Sequence, residues 1–90
     1  MDRETRTVRV GEIAVELTKL EFEVLQQLML NAGRVMPRER LLEKAWGYDF
    51  AGDTRAVDST IKRLRAKLRV ANPEADAIEA VRGVGYRARI

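Results

Sequence analysis

The stretch TRAVDSTIKRLRAKLR, residues 54–69, carries six basic side chains and one acidic side chain. Its larger apolar residues recur at helical intervals, and at 100° per residue they fall within a sector of about 60°. They are Val57, Ile61, Leu64 and Leu68. The pattern predicts a helix over residues 54–69 with this face buried. The opposite face presents Arg55, Ser59, Lys62 and Ala66, with Arg63 and Arg69 on its flanks.

This outer face has the size and charge to enter the major groove of B-DNA. The groove admits one α-helix, whose cationic groups can reach phosphates or guanine and whose hydroxyls can reach base edges or phosphates. The alternative is a face that is merely solvated. Charge is segregated along the chain, however: residues 1–54 hold 8 basic and 10 acidic groups, net −2, whereas residues 55–90 hold 9 and 4, net +5. The cationic surface therefore belongs to the later part of the chain.

Two hairpins are predicted, one near each end of the chain. TVRVGEIAV, residues 7–15, alternates apolar and other residues around Gly11-Glu12, which is typical of a β-hairpin. IEAVRGVGYRARI, residues 78–90, predicts two strands that turn through residues 82–85.

Two further helices are predicted between the first hairpin and the basic helix. Thr18 and Glu21 form a capping box, which starts a helix over residues 19–31. A second helix is predicted over residues 37–46, because Pro37 suits a first helical turn and an apolar stripe follows it. The predicted fold class is α+β: a winged helix-turn-helix with a three-helix core, a short N-terminal β-hairpin and a C-terminal hairpin as the wing.

Composition limits the other possibilities. Ninety residues are expected to form one domain, residues 1–90. The chain has no cysteine and no histidine, so disulfides, zinc sites and the usual catalytic triads cannot be assembled within it. The helix carboxylates match capping or solvation at the surface: Glu21, Glu23, Glu39 and Glu43. We therefore expect neither an enzyme nor a bound cofactor, metal or small-molecule substrate, and no apolar run approaches the ~20 residues that cross a bilayer.

Three segments resemble the C-terminal effector domain of OmpR/PhoB-type two-component response regulators, and together they cover nearly the whole chain. ELTKLEFEVLQQLMLNAGRVMPRERLLEKAWGYDF is similar to that family's LTxxEFxLLxxLxxNxGRVxSRExLLExVWG segment. TRAVDSTIKRLRAKL resembles its recognition helix, and VRGVGYR resembles its wing. The resemblance implies sequence-specific binding of double-stranded DNA in transcriptional regulation, in the bacterial cytoplasm.

Position by position, the resemblance implies a set of DNA contacts. On the third helix these are Arg55, Thr60, Lys62, Arg63 and Arg65. Thr60 and Arg65 lie off the centre of the outer face, so phosphate is their expected partner. Ser59 faces the groove on the helical wheel, where it can meet a base edge or simply permit close approach. Asp58 is expected to pair with Arg55 or Lys62 at helical spacing and to orient them.

The resemblance also assigns roles outside the third helix. Arg82, at the hairpin turn, resembles the wing arginine that enters the minor groove. Trp46 and Tyr86 are expected in the core, and for Trp46 the alternative is donation of the indole N–H to a phosphate. The loop residues Tyr48, Asp49 and Phe50 occupy the segment through which such activators contact RNA polymerase.

Three departures from the family pattern qualify these expectations. Ala80 stands where the family often has a threonine that contacts phosphate, and Pro37 replaces a serine that would cap the second helix. The N-terminal sheet is expected to be shortened to one hairpin, with no receiver domain in these residues. Its strand edges could pair between chains, which gives a homodimer through Val8 to Val15 as a hypothesis.

Two copies on adjacent half-sites are expected, because one small module offers limited contact area. The alternative function is a protein-interaction winged helix that docks RNA polymerase or another partner without sequence-specific DNA binding. Such a face would be expected to carry aromatic anchors, which the predicted outer face lacks.

Overall fold

The structure is a computed structural model that describes residues 3–47, 53–74 and 77–89. The N-terminal hairpin comprises β1 (Thr7–Val10) and β2 (Ile13–Glu16), which pair antiparallel with Val8 opposite Val15. Gly11 occupies the turn with φ +63°, a conformation that side chains other than glycine rarely adopt. The predicted hairpin around Gly11-Glu12 is confirmed.

Helix α1 (Lys19–Leu30) begins at the predicted capping box and ends one residue earlier than predicted. The Glu21 backbone N–H donates to the Thr18 hydroxyl at 3.2 Å, and the Thr18 N–H donates to Glu21 Oε1 at 2.9 Å. These bonds satisfy two of the backbone donors that a helix N-terminus leaves free. Leu17 and Phe22 are both buried in the core, as a hydrophobic staple requires.

Helix α2 (Arg38–Trp46) begins one residue later than predicted. Pro37 precedes it as the N-cap with φ −60° and makes no side-chain cap bond, as the loss of serine predicts. Pro37 also belongs to a two-residue strand that the sequence did not predict, β3 (Met36–Pro37). The prediction that placed Pro37 inside the helix was therefore wrong, because the residue continues an extended segment paired with the C-terminal sheet.

Helix α3 (Arg55–Ala71) extends two residues beyond the predicted end at Arg69. The C-terminal hairpin follows as β4 (Ile78–Val81) and β5 (Gly85–Ala88), which we call the wing. The C-terminal sheet has the antiparallel order β3-β5-β4, with Met36 opposite Tyr86 and Tyr86 opposite Ala80. The wing turn is shorter than predicted, because Gly85 belongs to β5.

Gly85 is required where it stands because β3 crosses close to it. A Cβ on Gly85 would lie 2.0 Å from the Met36 carbonyl oxygen and 2.9 Å from the Pro37 Cα. Glycine therefore permits the contact that joins the wing to the start of α2.

The hydrophobic core lies where the three helices meet the two hairpins. Its helical members include Phe22, Leu25, Leu28, Leu41, Leu42, Val57, Ile61, Leu64 and Leu68. All four residues of the predicted apolar face of α3 are buried, so that prediction is confirmed. Truncating one such leucine to alanine would cost roughly 2–5 kcal/mol. Within the described ranges no helix is long and apolar enough to traverse a bilayer.

Candidate nucleic-acid interface

The outer face of α3 is open to solvent over its whole length, which confirms the predicted orientation of the helix. Its exposed members are Arg55, Ser59, Lys62, Arg63, Ala66 and Arg69. The Arg55 side chain is 92% exposed, and its Nε lies 3.4 Å from Asp53 Oδ1. An ion pair this exposed contributes little, so it does not prevent Arg55 from exchanging Asp53 for another anion.

Thr60 departs from its predicted role as a DNA contact. The residue is only 1% exposed, and its hydroxyl accepts a hydrogen bond at 3.1 Å from Arg63 Nη2. A side chain this buried has almost no surface to offer a phosphate, and the Thr60 hydroxyl instead holds Arg63. Arg63 keeps 56% of its side chain exposed.

Asp58 does not pair with Arg55 or Lys62 as predicted. Its Oδ1 accepts hydrogen bonds from Arg38 Nε at 2.8 Å and from the Tyr86 hydroxyl at 2.5 Å. The Arg38 guanidinium also lies 5.4 Å from the centroid of the Tyr86 ring. One carboxylate therefore joins α2, α3 and β5, and the neighbours that orient it come from outside its own helix.

The protonation of these groups follows from their contacts. Burial would raise the pKa of Asp58, but the hydrogen bonds from Tyr86 and Arg38 outweigh it and hold that pKa below the usual value. Burial and the Asp58 carboxylate together raise the pKa of Tyr86. At neutral pH the aspartate is therefore ionised and the tyrosine keeps the proton that it donates.

Glu21, in the first turn of α1, packs against α3 and is buried, which contradicts its predicted surface position. Its Oε1 accepts from Lys67 Nζ at 2.5 Å, and its Oε2 lies 3.7 Å from Arg63 Nε. Burial alone would raise the pKa of Glu21, but Lys67 and the backbone of Thr18 outweigh it, so the pKa lies below the usual value. The predicted capping role of Glu21 is confirmed, and its ion pair with Lys67 of α3 was not predicted from the sequence.

A cationic cleft separates α3 from β4. It has a volume of about 260 Å³, and three cations of the helix line it together with Ala80 of the strand: Lys62, Arg65 and Arg69. The Asp58 carboxylate also lines the cleft, but it is paired with Arg38. Arg65 is half-buried, which agrees with its predicted place beside the centre of the outer face. Ala80 is exposed and offers no hydroxyl, so the strand side of the cleft lacks the hydrogen bond that a threonine would supply.

The wing turn places Arg82 at the end of the hairpin, where it is exposed. Gly83 follows it with φ +78°, which allows the tight turn. Trp46 is partly buried and packs against the core, and Tyr86 is 7% exposed, so the core prediction holds for both. The predicted polymerase-contact residues Tyr48, Asp49 and Phe50 lie outside the described residues.

Sequence reasoning missed several residues that shape this surface. Arg38 is 20 positions from Asp58, and Lys67 is 46 positions from Glu21, so no local spacing signals either pair. For Thr60 a signal existed, because on the helical wheel it borders the apolar sector. Among the residues that the structure describes, no group of acidic side chains could hold a metal ion.

The sequence matches a known family and resembles curated proteins. Residues 11–88 match the family described as "Transcriptional regulatory protein, C terminal". The sensory transduction protein RegX3 of Mycobacterium leprae is 40% identical over 87 residues, which are 97% of this chain and 44% of that protein. The chain thus spans less than half the length of this curated relative.

Solved structures give the same fold. The Klebsiella pneumoniae RstA DNA-binding domain in complex with the RstA box is 36% identical, with a TM-score of 0.82 over 98% of this chain and 87% of that one. The DNA-binding domain of the response regulator AdeR, in complex with an intercistronic region, is 29% identical, with a TM-score of 0.84 over 99% of this chain and 90% of that one.

Proposed function

This chain belongs to the family of C-terminal domains of transcriptional regulatory proteins, the OmpR/PhoB-type DNA-binding domains of response regulators, and from that premise we propose how it contacts DNA. Its function is DNA binding in transcriptional regulation, and the family is not one of enzymes. In our proposal α3 lies in the major groove, and the wing places Arg82 in the adjacent minor groove.

The observation that carries this proposal is the exposed outer face of α3. Arg55, Lys62 and Arg63 project from a helix whose other side is fully buried, so the helix can enter a groove without exposing its core. Ser59 and Ala66 have small side chains, so the helix surface between the cations protrudes little and can approach DNA closely. The major groove accepts one helix with these properties.

The cationic cleft is the proposed seat of a backbone phosphate. Lys62, Arg65 and Arg69 line one side of it, and cationic side chains there would fix the register of the helix without contacting bases. The wing lies on the other side and positions Arg82, whose guanidinium suits the negative potential of a narrow minor groove. Trp46, which is only partly buried, donates its indole N–H to a phosphate in this proposal.

The wider assembly is also a proposal. Two copies would occupy adjacent half-sites, because one small module has limited contact area with DNA. The proposal also includes contact with RNA polymerase through Tyr48, Asp49 and Phe50. It includes a homodimer that pairs through Val8 to Val15. The protein is proposed to act in the bacterial cytoplasm.

The protein-interaction alternative lacks support on the outer face of α3. Interface hot spots are enriched in tryptophan, tyrosine and arginine that fill desolvated pockets. The centre of this face has an arginine, Arg55, but no tryptophan or tyrosine, and its other members are Ser59, Lys62 and Ala66. A surface of this kind suits a polyanion better than an apolar pocket.

The test is a selection of bound duplexes from a random pool, followed by affinity measurements with Lys62→Ala. If Lys62 contacts a base, binding weakens by ~1–3 kcal/mol and discrimination at that base pair relaxes; if it contacts phosphate, binding weakens uniformly and the salt slope falls by ~1. Lys19→Ala, at the exposed start of α1, removes the same charge as a control. Equal affinities and salt slopes for wild type and Lys62→Ala would refute the placement of α3.

A further inference from the structure

The buried carboxylate of Glu21 uses its two oxygens differently. Oε1 accepts from the Thr18 N–H at 2.9 Å and from Lys67 Nζ at 2.5 Å. Oε2 is buried and has no hydrogen-bond partner in the part of the chain that the structure describes. Its nearest ion-pair contact is Arg63 Nε at 3.7 Å. The capping role of Glu21 therefore accounts for one oxygen and leaves the other facing an arginine.

Arg63 contacts two buried groups, the Glu21 carboxylate and the Thr60 hydroxyl. Its Nε faces Glu21 Oε2, and its Nη2 donates to the Thr60 hydroxyl at 3.1 Å. Glu21 and Thr60 are each 1% exposed, whereas 56% of the Arg63 side chain faces solvent. The Arg63 side chain thus contacts buried Glu21 and Thr60 on one side and projects into solvent at the flank of the outer face of α3.

We propose that Glu21 is a positioning residue for DNA recognition, and that its second oxygen, together with the Thr60 hydroxyl, orients the Arg63 guanidinium toward the base edges. This inference rests on the proposed function of α3. An arginine that is already ordered loses less side-chain freedom on binding than a mobile one, which favours the geometrically specific complex. The 3.7 Å separation exceeds a hydrogen bond, so Glu21 orients Arg63 without fully using its Nε–H donor.

Lys67 makes this arrangement compatible with a polyanionic partner. Its ammonium neutralises Glu21 at 2.5 Å from the flank of α3, so the carboxylate charge is compensated before DNA approaches. The same α1 residue that caps its own helix therefore supports a cation on the DNA-facing helix. This links the first turn of α1 to the specificity of α3.

The central test is Glu21→Gln, which keeps the size of the side chain and an oxygen that can accept from Thr18 but removes the charge. We measure affinity for the duplex selected by the wild type and for a scrambled duplex of the same length and composition. The variant carries one more net positive charge, so binding to the scrambled duplex should stay equal or strengthen. Binding to the selected duplex should weaken, lowering the ratio of the two affinities roughly two- to tenfold.

Glu23→Gln is the matched control, because it makes the same charge change on the same helix. Glu23 lies 3.9 Å from Arg3. It follows Glu21 by two positions, which places it about 200° further around α1. Its affinity ratio should equal that of the wild type. Thr60→Val removes only the buried hydroxyl acceptor and should lower the ratio in the same direction as Glu21→Gln.

A combination with Arg63→Ala separates positioning from general loss of structure. In that background Glu21→Gln should no longer change the ratio, because the guanidinium that it orients is gone. The inference is overturned if Glu21→Gln and Glu23→Gln give the same ratio, or if Glu21→Gln weakens both duplexes by the same factor. A wild type that binds both duplexes equally would overturn the proposed function itself, and the inference with it.

Discussion

The N-terminal hairpin and the wing have strands of the same length and a glycine with positive φ in each turn, but they differ in what packs against them. Strands β1 and β2 pair only with each other within the described ranges, and most of their residues are exposed or half-buried. In the wing, β5 pairs on both sides, and Gly85, Tyr86 and Ala88 are buried. Both hairpins pack on the helices, since Val15 of β2 is buried in the core and β2 contacts α3, but the wing also pairs with the strand that leads into α2. Local sequence is sufficient to form a hairpin, whereas pairing with a distant strand ties the wing to α2.

The two hairpins also differ in charge at their turns. The N-terminal turn carries Glu12, whose backbone oxygen accepts from Arg9 at 3.5 Å. The wing turn carries Arg82, and β5 is joined to α3 by the hydrogen bond from Tyr86 to Asp58. The wing turn therefore presents an exposed cation where the N-terminal turn presents an acidic residue, which is why the wing is assigned to DNA.

The largest expected difference lies between Gly85→Ala and Gly11→Ala. A Cβ at Gly85 would collide with the backbone of β3, whereas nothing lies within 4 Å of a Cβ at Gly11. We expect Gly85→Ala to lower the free energy of unfolding by roughly 3 kcal/mol or more. Gly11→Ala should cost about 1–2 kcal/mol, from its positive φ alone. Urea unfolding measures both; equal losses would show that the wing depends on β3 no more than the N-terminal hairpin does.

The next difference lies in DNA affinity, between Arg82→Ala and Arg9→Ala. Both substitutions remove one arginine from a hairpin, so they change the net charge equally. Arg82→Ala should weaken binding to the selected duplex by about 1–3 kcal/mol, because its guanidinium is the proposed minor-groove contact. Arg9→Ala should change it by at most a few tenths of a kcal/mol. Fluorescence anisotropy at one salt concentration compares them, and an equal loss in both variants would argue against a DNA-contacting wing.

The smallest expected difference comes from Tyr86→Phe, which removes the hydrogen bond between the wing and Asp58. The Asp58 side chain is 43% exposed, so solvent screening limits the loss of stability at pH 7 to about 1 kcal/mol. Because the folded pKa of Asp58 is depressed, its contribution is present above the usual value of about 3.9 and is lost as pH falls through the folded value.

The pH dependence of unfolding provides a control for the Tyr86→Phe prediction. In the wild type, stability from Asp58 should disappear at acid pH, and in Tyr86→Phe that loss should be smaller, since one group that favours the ionised aspartate is missing. Chemical unfolding at pH 7 and at a series of acid pH values measures it. Parallel acid profiles for the two proteins would mean that Tyr86 does not stabilise the Asp58 carboxylate.

The elements that the sequence predicted well are those with local signals. The capping box at Thr18 and Glu21, the turn glycines and the apolar stripe of α3 each act within a few residues, so their patterns are visible in the chain. All four residues predicted for the buried face of α3 are buried, and Thr60 beside them was missed. Helix ends were off by one or two residues, as expected where the final turn is set by packing.

The parts that sequence could not supply depend on contacts between distant segments. Strand β3 is two residues long and exists because it pairs with β5, so no periodicity reveals it. The partners of Asp58 come from α2 and β5, and tertiary contacts replaced the helical pairs that spacing had suggested. The family resemblance predicted that Thr60 contacts DNA, which requires an exposed side chain, but the fold buries this residue.

The central claim is that the cationic outer face of α3 and the wing, but not the N-terminal hairpin, contact DNA. The most direct measurement is an NMR titration of the ¹⁵N-labelled protein with the selected duplex at low ionic strength. We predict that the largest backbone amide shifts occur at Arg55, Ser59, Lys62, Ala66 and Arg82, with small changes along β1 and β2. Shifts confined to the N-terminal hairpin, or a spectrum that no duplex perturbs, would contradict the account.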